Sequence, residues 1–191
     1  LQAMLLRTTD SRVARFAGEP FPPGAQDKFH TLLARYSYER GLALSEAGQQ
    51  GEARKAWEEA RKLASRVRGE AAAAVLTNSA LPLLQAEAKN LPLAADVLRR
   101  AVAAANPAGP VAPTANYVLG LATFLQIPDV DKDAESNKSC ELARKEEGLL
   151  TEAETAFRLG QSAKPEDVAR YRGYVAQYKP RVASMIKAYC K

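Results

Sequence analysis

The chain has 191 residues, a length typical of one domain or of one domain with a capping extension. Hydrophobic residues make up 47% of it and aromatic residues only 7%, and much of the apolar content is alanine and leucine, which favour helices. The β-branched residues that favour strands are sparse before the C-terminal part. We therefore predict an all-α fold.

The net charge of +5 raises the question of a nucleic-acid partner, because basic surfaces attract phosphate. The basic residues are interleaved with glutamates, however, and the aromatic platforms that single-stranded nucleic acids require are missing among them. No apolar run approaches the roughly 20 residues of a membrane span. The sequence predicts no membrane span and disfavours nucleic acid as the partner, with RNA binding kept as a third alternative.

Residues 1–33 are predicted to form an N-terminal extension. The segment 1–16 is mildly amphipathic, and the proline-rich stretch 19–24 then interrupts any helix. Free termini usually fray unless something holds them. This suggests an alternative function, in which the extension docks on a neighbouring copy and the chain assembles into a homo-oligomer or filament.

Residues 34–67 carry small and large apolar side chains at fixed spacing around a turn glycine. The small residues are Gly41, Ala53 and Ala60, the large ones are Leu44 and Trp57, and the turn residue is Gly48. This pattern resembles the tetratricopeptide repeat, in which small residues let two helices of a hairpin approach closely while the large ones fill the space between them. The resemblance implies a solenoid of helical hairpins.

The resemblance continues more weakly over residues 70–127. We predict one helix over Glu70–Lys89, interrupted by Pro82, a partner helix over Leu93–Ala105, and a third-unit helix that Pro128 stops. Residues 34–127 are therefore expected to hold about three tetratricopeptide-like units.

The stretch from Asp129 to Asn137 has acidic or amide side chains at alternate positions, as calcium-binding loops do. Its sixth position is Ala134 rather than glycine, and its twelfth is Cys140 rather than the bidentate glutamate. These departures favour an acidic loop that starts a helix over a calcium site, and no metal is predicted.

Residues 128–191 are predicted to form a long antiparallel helical hairpin that caps the repeats. From Pro165 onward, apolar residues recur at spacings of three and four, as in helices that bury a continuous seam. This seam consists of Val168, Tyr171, Val175, Tyr178, Val182, Met185 and Tyr189. The partner helix is Ser136–Ser162, whose stripe is Cys140, Ala143, Leu150, Ala153, Phe157 and Gly160, interrupted by Glu147.

The two cysteines are placed symmetrically about the expected turn near Lys164, so both thiols arrive at the same end of the hairpin. We predict a disulfide between Cys140 and Cys190, which favours a periplasmic or extracellular location without excluding the cytoplasm. A competing interpretation breaks the chain at Gly148, because residues 148–165 also resemble the turn and second helix of another repeat. In that case the cysteines would lie far apart.

Catalysis finds little support in the sequence. The sole histidine, His30, has no cysteine or serine partner at a recognisable spacing, and no glycine-rich loop is placed to hold a phosphate. The glutamates lie among lysines and arginines, where no acid–base pair stands apart. We predict that the chain is not an enzyme and needs no cofactor.

A binding surface remains as the expected functional site. The tetratricopeptide resemblance implies that a peptide binds along the first helix of each unit, at Arg35, Tyr38, Leu42, Glu46, Tyr117, Leu121 and Phe124. The alternative is that Tyr38, Tyr117 and Phe124 pack against neighbouring helices. The predicted function is a protein–protein interaction scaffold or adaptor that engages another polypeptide through this repeat surface.

Overall fold

The computed structural model describes residues 25–85 and 89–190, and the regular structure within these ranges is entirely helical. The α-helices are α1 (Ala25–Glu46), α2 (Gln50–Ala64), α3 (Glu70–Ala80), α4 (Leu91–Ala104), α5 (Val111–Phe124), α6 (Ile127–Asn137), α7 (Cys140–Leu159) and α8 (Pro165–Tyr189). The predicted all-α class is confirmed. Because α1 begins at Ala25, the boundary predicted after residue 33 falls inside this helix, and the remaining residues of the predicted extension, 1–24, lie outside the described residues.

Helices α1 and α2 form a hairpin whose close approach depends on Gly41. A Cβ atom on this glycine would overlap the indole of Trp57, so only glycine fits at the crossing. Ala53 and Ala60 are fully buried in the same interface. Gly48 ends α1 with a φ of +77°, a left-handed conformation that glycine adopts readily, and its N–H donates to the carbonyl of Ser45. The predicted contact of Gly41 with Trp57 is confirmed.

Helix α3 ends earlier than the sequence suggested. The α-helix stops at Ala80, and a 3₁₀-helix over Leu81–Leu84 follows, with Pro82 in its first turn. Proline lacks the N–H that would continue the α-helical ladder. The predicted interruption at Pro82 is confirmed, but the α-helix predicted over Glu70–Lys89 does not continue through residues 81–85 or at Lys89, and residues 86–88 lie outside the described residues. The partner helix α4 starts at Leu91, and the side chain of Asn90 accepts a hydrogen bond from the N–H of Leu93 at 3.2 Å.

The helices stack so that each pair packs on the next. Helix α3 packs on both α1 and α2, and α5 packs on both α3 and α4. The main partner of α5 is α7 rather than its chain neighbour α6. A Cβ atom on Gly120 of α5 would lie 2.6 Å from Cδ1 of Phe157 in α7, which repeats the glycine-to-aromatic contact of the first hairpin. Helix α6 is thus inserted between the two halves of a third helix pair.

The acidic stretch predicted as a loop is helix α6. Pro128 lies in the first turn of this helix, where its missing N–H costs nothing. Residues two apart on a helix point about 200° away from each other, so the alternating acids do not converge as calcium ligands would. Both the loop and the calcium alternative for residues 129–137 are therefore replaced by a helix.

The C-terminal hairpin is confirmed, since α7 runs without a break through Gly148 and α8 returns along it. Helix α7 is shorter than the predicted Ser136–Ser162, because Lys138 adopts a left-handed φ of 47° and the Ser139 side chain caps the new helix. The valines and Met185 of the predicted seam are buried, and its tyrosines Tyr171, Tyr178 and Tyr189 pack against the same cluster.

We expect Gly41→Ala to lower the free energy of unfolding by about 1–3 kcal/mol, because the added methyl group must displace the indole of Trp57. Gly148→Ala is the matched control, since this mid-helix glycine has open space around it. The control is expected to raise the stability by about 0.5–1 kcal/mol through better helix propensity. Urea unfolding followed by circular dichroism measures both, and equal effects of the two substitutions would contradict the close crossing.

Candidate functional site

A surface groove lies between α1 and α3. It encloses about 270 Å³, and its lining residues are Thr31, Arg35, Tyr38, Glu39, Ala71, Ala74, Val75 and Asn78. Helix α1 supplies Tyr38 and the charged side chains Arg35 and Glu39, whereas α3 supplies the small residues Ala71 and Ala74 together with Val75 and Asn78. The groove exists because the α3 side of it carries small residues.

Tyr38 is the one aromatic side chain among the described residues that line this groove. It is half-buried and packs against the interior of both the α1–α2 pair and the α3–α4 pair. Burial, and then the negative charge of Glu39, raise the pKa of its hydroxyl. The phenol therefore stays protonated and keeps both its donor and its acceptor function over the physiological pH range.

The other residues predicted on α1 divide between the groove and other places. Arg35 is exposed and lines the groove beside Tyr38. Leu42 instead packs against the buried cluster of Leu44 and Trp57, and Glu46 lies at the exposed end of α1. The structure therefore brings together Arg35 and Tyr38 of the four predicted positions on this helix.

The predicted positions on α5 are covered by α8. The hydroxyl of Tyr117 donates to Oδ2 of Asp167 at 3.1 Å, and burial followed by this hydrogen bond raises the pKa of Tyr117 to about 12. Phe124 is 9% exposed, and its ring centroid lies 5.5 Å from that of Tyr171. Leu121 packs against the same buried cluster. The groove therefore does not continue onto Tyr117, Leu121 and Phe124, and the alternative that aromatic residues pack on the next helix holds for α5.

Cys140 and Cys190 form the predicted disulfide. Their sulfur atoms are 2.03 Å apart and their Cα atoms 4.9 Å apart. Cys140 is the first residue of α7, and Cys190 directly follows α8, so the bond joins the open end of the hairpin. The inference from the placement of the two cysteines is confirmed, and the alternative with a break at Gly148 is wrong.

A charged cluster lies inside the same end of the hairpin. Glu146 of α7 is fully buried, and Asp131 of α6 is 8% exposed. Arg181 of α8 binds Oδ2 of Asp131 at 2.8 Å and Oε2 of Glu135 at 2.9 Å. Among the described residues, neither carboxylate oxygen of Glu146 has a hydrogen-bond partner, and Oδ1 of Asp131 has none either.

This environment makes the carboxyl group of Glu146 a weaker acid than that of an exposed glutamate. Burial, and then the negative charge of Asp131, raise the pKa of Glu146 to about 7, against the opposing effect of Arg181. A buried carboxylate without a hydrogen-bond partner is costly, so the neutral form is favoured. Glu147, which was predicted to interrupt the α7 stripe, is exposed. The spacing from Ala143 through 146 to Leu150 identifies the buried residue as Glu146 instead.

Comparisons with protein-family models, with curated proteins and with solved structures found no match to this chain. Among the described residues, no helix has the length and apolarity needed to cross a bilayer. Within the same ranges, no group of three or more His, Cys, Asp or Glu side chains is arranged to hold a metal ion. A binding site is therefore inferred from the geometry of the groove between α1 and α3.

Replacing both cysteines, as Cys140→Ser with Cys190→Ser, should lower the free energy of unfolding by about 3–4 kcal/mol. The physical reason is that the unfolded chain regains the freedom of a loop that spans a sequence separation of 50 residues. Denaturation of the oxidised wild type, the reduced wild type and the double variant measures this effect. Non-reducing mass spectrometry should give the oxidised protein a mass lower by two hydrogen atoms, whereas free thiols in that sample would contradict the disulfide.

The stability of the fold should decrease as Glu146 ionises. Since the pKa of Glu146 in the folded protein lies above its ordinary value of 4.5, the folded state binds more protons than the unfolded state between pH 4.5 and about 7. The stabilising contribution is fully present below pH 4.5 and is lost as the pH rises through about 7.

Glu146→Gln should remove most of this pH dependence, because glutamine resembles the neutral acid and does not ionise. We expect the variant to match the wild type at pH 4.5 and to be more stable at pH 8, by on the order of 2–3 kcal/mol. The exposed neighbour provides the control Glu147→Gln. Urea midpoints measured from pH 4.5 to 8 test this, and parallel curves for all three proteins would refute the assignment.

Proposed function

We propose that this chain is a non-catalytic protein-binding module that holds a segment of a partner polypeptide in the groove between α1 and α3. The observation that carries this proposal is the open, partly apolar groove that is lined by Tyr38 of α1 and by the small side chains Ala71 and Ala74 of α3. The groove, with a volume of about 270 Å³, is large enough for one or two side chains of a peptide but small for a cofactor.

The composition of the groove suggests the chemistry of the bound segment. Tyr38 offers an apolar ring with a polar tip, which suits an aliphatic or aromatic anchor residue of the partner. The same groove is lined by the polar side chains Arg35, Glu39 and Asn78. These side chains can form hydrogen bonds to the peptide backbone on either side of the anchor. The mixed charge of the rim favours a segment with polar residues of both signs next to the anchor.

The resemblance to tetratricopeptide repeats supports the same proposal. In that family the first helices of successive units line the peptide-binding face, and α1 and α3 are the first helices of two successive pairs here. We infer that the chain is a scaffold of this type with a short groove, which ends where α8 covers α5. The disulfide supports an oxidising compartment, periplasmic or extracellular, as the place where the scaffold works.

Ala71→Trp tests the groove without removing any of the packing of Tyr38. Ala71 is an exposed groove residue on α3, so an indole at this position fills the hollow. The control is Ala176→Trp, at an exposed alanine on α8 that does not line the groove. The probe is a peptide selected on the wild-type protein from a random peptide library, and its affinity is measured by fluorescence anisotropy.

We expect Ala71→Trp to weaken binding of the selected peptide at least tenfold, which corresponds to about 1.4 kcal/mol or more. Ala176→Trp should leave the affinity unchanged, and thermal melts should show that both variants are folded. Failure of the wild type to select any peptide, or equal affinities for all three proteins, would remove the basis of the proposed function.

A further inference from the structure

A second concave surface is lined by residues of α2, α3 and α4. Two adjoining cavities of about 380 Å³ and 360 Å³ share Ser65, Leu76 and Arg100, so together they form one trough. Leu76 of α3 and Val97 of α4 are buried and give this trough an apolar floor. Helix α3 thus contributes Val75 to the groove described above and the next residue, Leu76, to the trough.

The charges along the trough are unevenly distributed. Both acidic lining residues, Glu58 and Asp96, belong to the first cavity, together with Arg61 and Lys62. The second cavity adds Arg68, shares Arg100 and contains no acidic lining residue. The trough therefore changes from mixed charge at one end to positive charge at the other.

The basic lining residues that a partner could contact are Lys62 of the first cavity and Arg68 and Arg100 of the second. Within the described part of the chain, Lys62 and Arg68 form no ion pair. Arg100 pairs with Asp96 of its own helix at 3.2 Å, and both side chains are more than half exposed, so this pair contributes little stability and is easily exchanged. Arg61 is held in place, because its Nη1 donates to the carbonyl of Ser79 at 3.0 Å.

We propose that this trough binds an acidic segment of a partner polypeptide, with its carboxylates against Lys62, Arg68 and Arg100 and an apolar side chain over Leu76 and Val97. Charge complementarity selects the occupant. Arg68 and Arg100 of the second cavity and Lys62 of the first attract carboxylates, and the apolar floor between the helices takes a leucine-like side chain out of water. This is a second binding site, with lining residues different from those of the α1–α3 groove.

A polypeptide fits this trough better than a nucleic acid does. None of the described residues that line it is aromatic, so it offers no surface on which bases stack. Glu58 and Asp96 would also repel a continuous phosphate backbone along the first cavity. A short acidic segment reduces this repulsion, because its carboxylates need to reach only Lys62, Arg68 and Arg100 and do not have to follow the whole trough.

The test uses fluorescein-labelled peptides and fluorescence anisotropy. The acidic probe has the sequence Glu-Glu-Leu-Glu-Glu-Leu-Glu-Glu. In the comparison probes, serine replaces every glutamate, lysine replaces every glutamate, or serine replaces both leucines. A thymidine oligonucleotide of similar length represents nucleic acid. We expect the wild type to bind the acidic probe at least tenfold more tightly than each of the others, with an affinity that falls as salt is added.

Two variants of equal net charge distinguish binding in the trough from general electrostatic attraction to the protein. The trough variant combines Lys62→Glu, Arg68→Glu and Arg100→Glu. The control combines Arg158→Glu, Arg172→Glu and Lys187→Glu, three exposed basic residues that do not line the trough. Thermal melts check that both variants are folded. We expect the trough variant to lose at least tenfold in affinity for the acidic probe and the control to lose less than twofold.

Each other result overturns the proposal. Equal losses in the two variants would show attraction by net charge alone, and no binding of the acidic probe by the wild type would show that the trough is not a site of this kind. Preference for the oligonucleotide, lost in the trough variant, would identify a nucleic-acid surface instead. Ala71→Trp should leave binding of the acidic probe unchanged, so failure of the trough and failure of the α1–α3 groove are distinguishable.

Discussion

The close approach of paired helices over a glycine is the constraint on which the rest of this structure depends. Gly41 admits the indole of Trp57 between α1 and α2, and Gly120 admits the ring of Phe157 between α5 and α7. In each pair, the missing side chain on one helix provides the space that an aromatic side chain of the other fills. The next pair packs on the first through α3, and Ala71 and Ala74 of this helix line a groove together with Tyr38.

The insertion of α6 explains how one constraint produces two different helix pairs. In the first pair, Gly41 and its aromatic partner Trp57 are 16 residues apart, whereas Gly120 and Phe157 are 37 residues apart. The additional 21 residues hold α6 and the N-terminal part of α7. This part of α7 carries Cys140 and Glu146, so the disulfide and the buried carboxyl group both belong to the insertion rather than to the repeated element.

Much of the fold was predictable because it depends on local spacing. The contact of Gly41 with Trp57 and the pairing of Cys140 with Cys190 follow from distances along a helix, which the sequence contains directly. The all-α class follows from the composition, which is rich in alanine and leucine. The partner of α5 was not predictable in this way, because it depends on which helix fills the space beside Gly120. The motif around Phe157 was visible in the sequence, but its second interpretation, as part of another repeat, required a break at Gly148. Helix α7 is continuous there and packs on α5.

The candidate site was predictable only where no later helix covers it. Arg35 and Tyr38 line the groove, because the helix that follows in the stack, α3, presents alanines to them. Phe124 holds a comparable position on α5, but α8 lies over it with Tyr171 and Tyr178. A pattern on one helix reports which side chains share a face, and it does not report what packs against that face. Glu146 was missed for a related reason. The pattern does not show that a charged residue is buried in the apolar seam, so the interruption was assigned to the exposed neighbour Glu147.

The disulfide at the open end of the C-terminal hairpin has a mechanical consequence. The turn joins α7 to α8 at one end and the bond from Cys140 to Cys190 joins them at the other, so the two helices form a closed covalent ring. A pulling force applied beyond Cys190 would pass through the sulfur atoms directly to the junction of α6 and α7. The force would then not act along α7 and α8. Helix α8 would stay packed on Phe124, while the helices before the ring, α1 to α6, would carry the load.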